Sequence, residues 1–133
     1  MRSQFKYTGK LENLVVGEGC TITRSPWPLF DLTSGLVFGD NVTISSGVYI
    51  LTHDHYFNQK DWRNLDEKLN PTPTVIGHGV FLGVNAIITS GCRSIGKHSV
   101  IGAGAVVTKT VPSYEIWAGN PAKKIRSVGG QNG

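Results

Sequence analysis

The sequence predicts an all-β fold, a parallel β-helix built from six-residue repeats. Three observations support this fold: the spacing of aliphatic residues, the small residue after each of them, and the turn-forming residue two places later. The aliphatic positions are Ile76, Leu82 and Ile88, followed after one extra residue by Ile95, Ile101 and Val107. Such a repeat is typical of a triangular coil, in which three short strands make one turn of about eighteen residues.

The small and turn-forming residues keep step with the aliphatic ones. Directly after the aliphatic residues stand Gly77, Gly83, Thr89, Gly96, Gly102 and Thr108. Three places after them stand Gly79, Asn85, Gly91, His98, Gly104 and Thr110. Glycine, asparagine and histidine tolerate a left-handed backbone, so we expect a corner at each of these positions. A β-sandwich is the alternative, but its strands vary more in spacing.

The same repeat extends towards the N-terminus and is interrupted in three places. Its earlier positions are Val16, Ile22, Leu32, Phe38, Ile44 and Ile50. A proline-rich stretch at 25–28 interrupts the first run, because proline cannot donate to a strand ladder. The gap between Ile50 and Ile76 predicts a projecting loop over about 51–75. The seven-residue step from Ile88 to Ile95 predicts one bulged corner at 92–94.

Length and composition favour a single domain over 1–133. The chain has 17 glycines and one methionine, which suits a coil of turns. No apolar run has the length of a membrane span, and the N-terminus lacks a secretory signal, so we expect a cytoplasmic protein without membrane insertion. Cys20 and Cys92 fall in distant turns and are expected to be buried free thiols. The segment from Tyr114 should cap the coil, and 127–133 should form a flexible tail.

The formal charge of +4 is modest, and its placement is more informative than its size. Lys123, Lys124 and Arg126 form a cluster near the C-terminus, while Lys97 and Lys109 lie in the repeats. A nucleic-acid binder more often carries a longer basic stripe with interleaved aromatic residues, so we do not expect a nucleic-acid partner. The cluster is either a solvated surface or a phosphate-binding patch.

A short triangular coil leaves its flat faces exposed, and three copies around one axis would bury them. Outward apolar residues such as Val48, Val80 and Phe81 are candidates for this contact. The sequence does not determine which face is used.

Two histidines stand where the regular coil gives way to the loop. His53 and His55 are two residues apart, so in a strand both would point into the same cleft. Imidazole accepts a proton near neutral pH, which makes either residue a candidate general base for an incoming hydroxyl or amine. The alternatives are a buried hydrogen-bonded histidine and a metal ligand. Asp31 could accept a hydrogen bond from a sugar hydroxyl, but a turn residue is the favoured interpretation.

Three segments together resemble one known family. They are Thr52-His53-Asp54, the run 101–109 (IGAGAVVTK) and the run 118–126 (AGNPAKKIR). These segments and the repeats resemble the hexapeptide-repeat acyltransferases, with the maltose/galactoside and lipopolysaccharide-sugar O-acetyltransferases as the closest branch. The resemblance implies a left-handed parallel β-helix and a homotrimer with active sites between subunits.

The resemblance also implies a reaction and its residues. Family members transfer acetyl from acetyl-CoA directly to an acceptor, here a hydroxyl of a sugar or saccharide, without an acyl-enzyme. His53 matches the family's catalytic histidine, and His55 is the reserve candidate. Gly83 and Ala103 match positions along the pantetheine arm, Thr108 and Lys109 match a pair near the nucleotide, and Lys123 and Arg126 match two phosphate-binding positions. Val84 replaces a frequent serine, which removes a family hydrogen bond.

Two other functions compete with acetyl transfer. A non-catalytic binding or scaffold coil explains the repeats but not Thr52-His53-Asp54 or the basic tail. A γ-carbonic-anhydrase-like metalloenzyme has the same fold and needs three histidines, two of them about five residues apart on one stretch. The histidines here stand at 53, 55, 78 and 98 without such a pair, so we predict no metal site.

Overall fold

The computed structural model describes residues 4–57 and 65–129 of the chain. Its strands are short, and the chain runs through them in the order β1 (Lys6–Thr8), β2 (Leu14–Val16), β3 (Thr21–Ile22), β4 (Leu29–Asp31), β5 (Leu36–Phe38), β6 (Thr43–Ile44), β7 (Tyr49–Ile50), β8 (Asp54–His55), β9 (Glu67–Lys68), β10 (Thr74–Ile76), β11 (Phe81–Leu82), β12 (Ile87–Ile88), β13 (Ser94–Ile95), β14 (Val100–Ile101), β15 (Val106–Val107), β16 (Glu115–Gly119) and β17 (Ala122–Ser127). A 3-10 turn covers Leu11–Asn13.

Successive strands visit three parallel sheets in turn, which makes the described chain a three-sided coil. We call the sheets face A (β1-β4-β7-β12-β15), face B (β2-β5-β10-β13) and face C (β3-β6-β11-β14-β16-β17). The predicted core residues stack in register, as in Ile50 beside Ile88 on face A and Phe38 beside Ile76 on face B. Their side chains fill the axis of the coil, where each buried aliphatic group stabilises the fold by about 1.5–3 kcal/mol.

The corners agree with the prediction except where the spacing changes. Gly79, Asn85, His98 and Gly104 have positive φ values between 58° and 70°. Gly91 and Thr110, which the repeat predicted as corners of the same kind, are not among the residues with positive φ. Gly91 lies in the corner that contains the extra residue. Thr110 lies in a shortened corner, because the next residue on face B, Val111, already pairs with Ile95. Both corners therefore follow a different path from the regular ones.

Two assignments in the coil are wrong. Phe30, not Leu32, stacks on Ile50 in face A, so the step from β4 to β5 is eight residues and Leu32 is buried in the corner between them.

Val48 and Val80, which were expected to point outward, are completely buried. Each stands two places before a core residue and therefore points to the same side of the strand. Phe81, the neighbour of Val80, is 43% exposed as predicted.

The predicted loop over 51–75 contains a small hairpin. Strands β8 and β9 pair antiparallel, with Asp54 opposite Lys68 and His55 opposite Glu67. Residues 58–64 of this loop lie outside the described part of the chain. The coil resumes at Thr74, whose strand lies between β5 and β13 on face B.

The C-terminal strands close the end of the coil. Strand β17 folds back antiparallel on β16, and Trp117 is buried beneath this cap. Ser127 pairs with Glu115, and the Val128 N–H donates to the Tyr114 carbonyl (2.8 Å), so the strand reaches into the segment predicted as a tail. Residues 130–133 of that segment are not described. Over the described ranges, no helix is long and apolar enough to cross a membrane.

Candidate active site

The site begins at the corner between faces A and B. Strands β4 and β7 are neighbours on face A, with Leu29 beside Tyr49 and Phe30 beside Ile50. The corners that follow these two strands are therefore stacked one above the other. This stacking brings Asp31 of one turn beside Thr52 and His53 of the next.

Asp31 is the centre of a dense hydrogen-bond network. Its Oδ2 atom lies 2.5 Å from Nδ1 of His53 and accepts the backbone N–H groups of Thr52 (2.8 Å) and His53 (3.1 Å). Its Oδ1 atom accepts both the N–H and the hydroxyl of Thr33, at 3.0 and 2.6 Å. The network fixes the carboxylate, and the carboxylate in turn fixes the imidazole ring.

The charge of this pair follows from its environment. Asp31 is only 3% exposed, and burial alone would raise its pKa. Hydrogen bonds from Thr33, Thr52 and His53 outweigh burial and lower the pKa of Asp31 to about 2. An ionised carboxylate on Nδ1 holds the proton of a neutral imidazole at that nitrogen, which leaves Nε2 with the lone pair of a base. The His53 side chain is 19% exposed, so a small molecule can reach it.

His53 and His55 line the same cleft, whose volume is about 720 Å³. Their rings lie 5.1 Å apart in an edge-on arrangement. Nδ1 of His55 is buried and has no hydrogen-bond partner among the described residues. The segment before β2 also lines the cleft, with Lys10, Glu12 and Asn13. The cleft thus combines a polar lining with the oriented imidazole of His53.

Two side chains attach the hairpin to the coil. Nδ2 of Asn70 donates to the Thr52 carbonyl at 2.7 Å, directly before His53. Arg93 donates to the Thr74 hydroxyl (3.1 Å), the Ser90 carbonyl (3.3 Å) and the Thr72 carbonyl. Arg93, in the bulged corner at 92–94, therefore holds the end of the loop where the chain returns to the coil at Thr72 and Thr74.

Gly83 and Ala103, predicted to contact the donor, lie at the corner between faces C and A. The Gly83 N–H donates to the Ile101 carbonyl at 2.8 Å. A Cβ atom at position 83 would lie 2.6 Å from the Ala103 backbone nitrogen, so only glycine fits without displacement. Val84 is exposed at the same corner.

The remaining predicted donor residues lie towards the C-terminal end of the coil. Thr108 and Lys109 follow β15 at the A–B corner, and Nζ of Lys109 lies 5.7 Å from the centre of the Trp117 ring. Lys123 and Arg126 are exposed residues of β17, at the end of face C. One chain therefore carries His53 at one corner and Gly83 with Ala103 at another, with face A between them.

The other histidines lie away from the cleft. His78 is exposed and accepts the Asp40 N–H at Nδ1 (2.8 Å), and His98 is exposed and stacks on Tyr114. Within residues 4–57 and 65–129, no group of three or more histidine, cysteine or acidic side chains is arranged to hold a metal ion. Cys20 and Cys92 are free thiols, the first partly exposed and the second buried.

The sequence prediction missed the role of Asp31, which it assigned to a turn. The missed signal is the position of Phe30. If Phe30 is placed beside Ile50 in the repeat, Asp31 falls at the corner below Thr52 and His53.

Comparison with known proteins supports the same fold. The family described as "Hexapeptide repeat of succinyl-transferase" matches residues 73–109. Galactoside O-acetyltransferase of Escherichia coli is 33% identical in an alignment of 116 positions, which covers 84% of this chain and 56% of that protein. Protein CapG of Staphylococcus aureus is 47% identical in an alignment of 116 positions, which covers 85% of this chain and 65% of that protein.

A solved structure, "galactoside acetyltransferase in complex with coenzyme A", superposes with a TM-score of 0.78 at 28% identity, covering 92% of this chain and 58% of that one. The chain thus spans between about half and two thirds of the length of these relatives. The superposition confirms the predicted fold class, a left-handed parallel β-helix. In its repeats, its coil and its sequence, the chain is similar to the hexapeptide-repeat acyltransferases, and residues 73–109 match the repeat of that family.

Proposed function

We propose that the chain transfers an acetyl group from acetyl-CoA directly to a hydroxyl of a sugar or saccharide, with His53 as the general base. The observation that carries this proposal is the buried, ionised Asp31 on Nδ1 of His53, in a cleft open to a small molecule. The similarity to a galactoside O-acetyltransferase, and to a galactoside acetyltransferase in complex with coenzyme A, supports this donor and this acceptor class.

The chemistry follows from the position of the imidazole. Nε2 of His53 removes the proton of the acceptor hydroxyl while the hydroxyl oxygen attacks the carbonyl carbon of the acetyl-CoA thioester. Asp31 stabilises the resulting imidazolium and keeps the ring oriented. When the tetrahedral centre collapses, the carbon–sulfur bond breaks, and the imidazolium returns its proton to the leaving sulfur. No acyl-enzyme forms, so Cys92 has no role as a nucleophile. Burial raises the pKa of Cys92 to about 12, which fits an unreactive thiol.

The donor would lie along the corner that carries Gly83 and Ala103. The Gly83 N–H is already used within the coil, so we assign stabilisation of the oxyanion to the backbone of Ala103. The exposed ammonium groups of Lys109 and Lys123 and the guanidinium of Arg126 are suited to phosphate groups of acetyl-CoA.

The separation of the two corners favours a homotrimer. If face A of each copy is turned towards a threefold axis, its two borders meet the two neighbours. The A–B corner with His53 then lies beside the C–A corner with Gly83 and Ala103 of the next copy. Face A carries exposed apolar side chains for such a contact, including Tyr49 and Ile87. A non-catalytic binding coil explains these surfaces but gives no reason for the Asp31–His53 pair.

Replacement of His53 by alanine tests the proposal. Acceptor-dependent release of CoA thiol should fall by about 10²- to 10⁴-fold, because the base is lost. His78→Ala is the matched control, since His78 also bonds through Nδ1 but lies outside the cleft, and it should keep full activity. Light scattering should show the same trimer for both variants. Undiminished turnover of His53→Ala would transfer the role of base to His55, whereas the absence of acceptor-dependent turnover in the unsubstituted protein would leave the non-catalytic interpretation.

A further inference from the structure

A second concavity lies beside the cleft of His53, on face B. Its volume is about 440 Å³, within the range of small-molecule sites. It shares Glu12, Asn13 and Thr33 with the cleft, so the two spaces are continuous along one wall. We call this space the face B groove.

Part of the lining of the face B groove is apolar. Val15 and Leu69 line it and are 57% and 58% exposed, and Val37 and Pro73 complete the apolar surface. Val15 and Val37 belong to neighbouring strands of face B, whereas Leu69 directly follows β9, the strand that pairs with the strand of His55. Aliphatic side chains from two separate elements that remain exposed around one depression are typical of a binding surface.

Two amide side chains of the groove are fixed, that of Asn13, which also lines the cleft, and that of Asn70. Nδ2 of Asn13 donates to the Leu32 carbonyl at 3.0 Å, and Nδ2 of Asn70 donates to the Thr52 carbonyl at 2.7 Å. These bonds orient both amides and leave each Oδ1 able to accept a hydrogen bond from a hydroxyl. Because Asn70 holds the residue before His53, the groove and the catalytic corner are parts of one rigid arrangement.

We propose that the face B groove is a second acceptor subsite, which binds an apolar substituent of the sugar that is acetylated at His53. The inference rests on the proposed acetyl transfer, because that reaction places the sugar in the cleft. A ring in the cleft, held by polar groups, would carry its aromatic or alkyl substituent past Asn13 and Asn70 onto Val15 and Leu69. The preferred acceptors are therefore apolar glycosides rather than free monosaccharides.

The kinetic test compares a methyl glycoside with the phenyl glycoside of the same sugar. Leu69→Ala should lower kcat/KM about five- to tenfold for the phenyl glycoside and less than about twofold for the methyl glycoside. Val75→Ala is the matched control, because Val75 is an exposed aliphatic residue of face B outside the groove, and it should change neither value. Equal loss with both glycosides would overturn the subsite.

A binding test separates this inference from the transfer reaction. In methyl NMR spectra, addition of the phenyl glycoside should shift the signals of Val15, Val37 and Leu69 but not that of Val75. Shifts there without any turnover would sustain the groove as the binding site of the apolar substituent and refute the acetyl transfer. Turnover without such shifts would refute the subsite alone. Protection of the same methyl groups from a soluble paramagnetic probe, before any glycoside is added, would show that a second copy of the chain fills the groove, which also overturns it.

Discussion

Substitution of Asp31 by asparagine keeps the shape of the side chain and removes its charge. Burial opposes the ionised form of Asp31, but its hydrogen bonds lower its pKa from 3.8 to about 2. This difference corresponds to roughly 2 kcal/mol of stabilisation. Because the folded-state pKa is the lower one, the stabilisation is complete above about pH 4 and is lost as the pH falls through about 2.

Asp31→Asn should therefore remove one contribution to acid sensitivity. The measurement is the free energy of unfolding of both proteins, from urea unfolding followed by circular dichroism at a series of pH values from about 2 to 7. Between about pH 5 and 2 the wild-type free energy of unfolding should fall by roughly 2 kcal/mol more than that of the variant. Parallel curves for the two proteins would show that the carboxylate is not stabilised in its charged form.

The same variant tests the orientation of the base. An amide nitrogen cannot accept the proton on Nδ1 of His53, so the tautomer with a free Nε2 loses its support. We expect kcat to fall about 10²- to 10⁴-fold while the KM for acetyl-CoA stays within about twofold. Nitrogen-15 NMR should show a single tautomer of His53 in the wild type and a mixture in the variant, a change that mere loss of stability would not cause.

Asp40→Asn is the matched control, because Asp40 faces His78 at 3.7 Å and both side chains are more than half exposed. Its activity and acid stability should equal those of the wild type. If Asp31→Asn kept the wild-type kcat in a folded protein, the assignment of Asp31 as the residue that positions the base would be refuted.

Three further substitutions or reactions test other parts of the structure. Gly83→Ala should lower the free energy of unfolding by about 1–3 kcal/mol and raise the KM for acetyl-CoA, because its Cβ would lie 2.6 Å from the Ala103 nitrogen; an unchanged melting temperature in calorimetry would contradict this close approach. Arg93→Ala should cost about 1–3 kcal/mol, lower kcat and speed hydrogen exchange in residues 65–73, since Arg93 holds the returning leg of the hairpin; unchanged exchange would contradict that role. Cys92 should not react with a thiol reagent at pH 8 in the folded chain, because burial raises its pKa to about 12, and fast labelling would contradict its burial.

The regular part of the coil could be predicted from sequence because its signal is local. Residues such as Ile76, Leu82 and Ile101 fill the axis, so each six-residue step repeats the same demand for an aliphatic group. The corners at Gly79 and Asn85 need positive φ, and few residue types accept it. Where the step changes length, as around Gly91 and Thr110, the local pattern no longer determines the path of the backbone.

The candidate site was less predictable because it depends on stacking between turns. Phe30 and Leu32 are both large apolar residues near the proline-rich stretch, and spacing alone favoured Leu32. The structure places Phe30 beside Ile50, and this register brings Asp31 under His53. His53 itself was found through a resemblance, since two nearby histidines identify no chemistry by spacing. Its partner lies 22 residues away and is visible only in three dimensions.

The most direct test of the central claim mixes two inactive variants. His53→Ala removes the base from one corner, and Ala103→Trp fills the donor side of the other corner at an exposed position. If each site combines His53 of one copy with Ala103 of the next, trimers reassembled from equal amounts should regain about a quarter of the wild-type rate, because about one junction in four joins two intact corners. A mixture that remains as inactive as its two components would contradict a site shared between subunits.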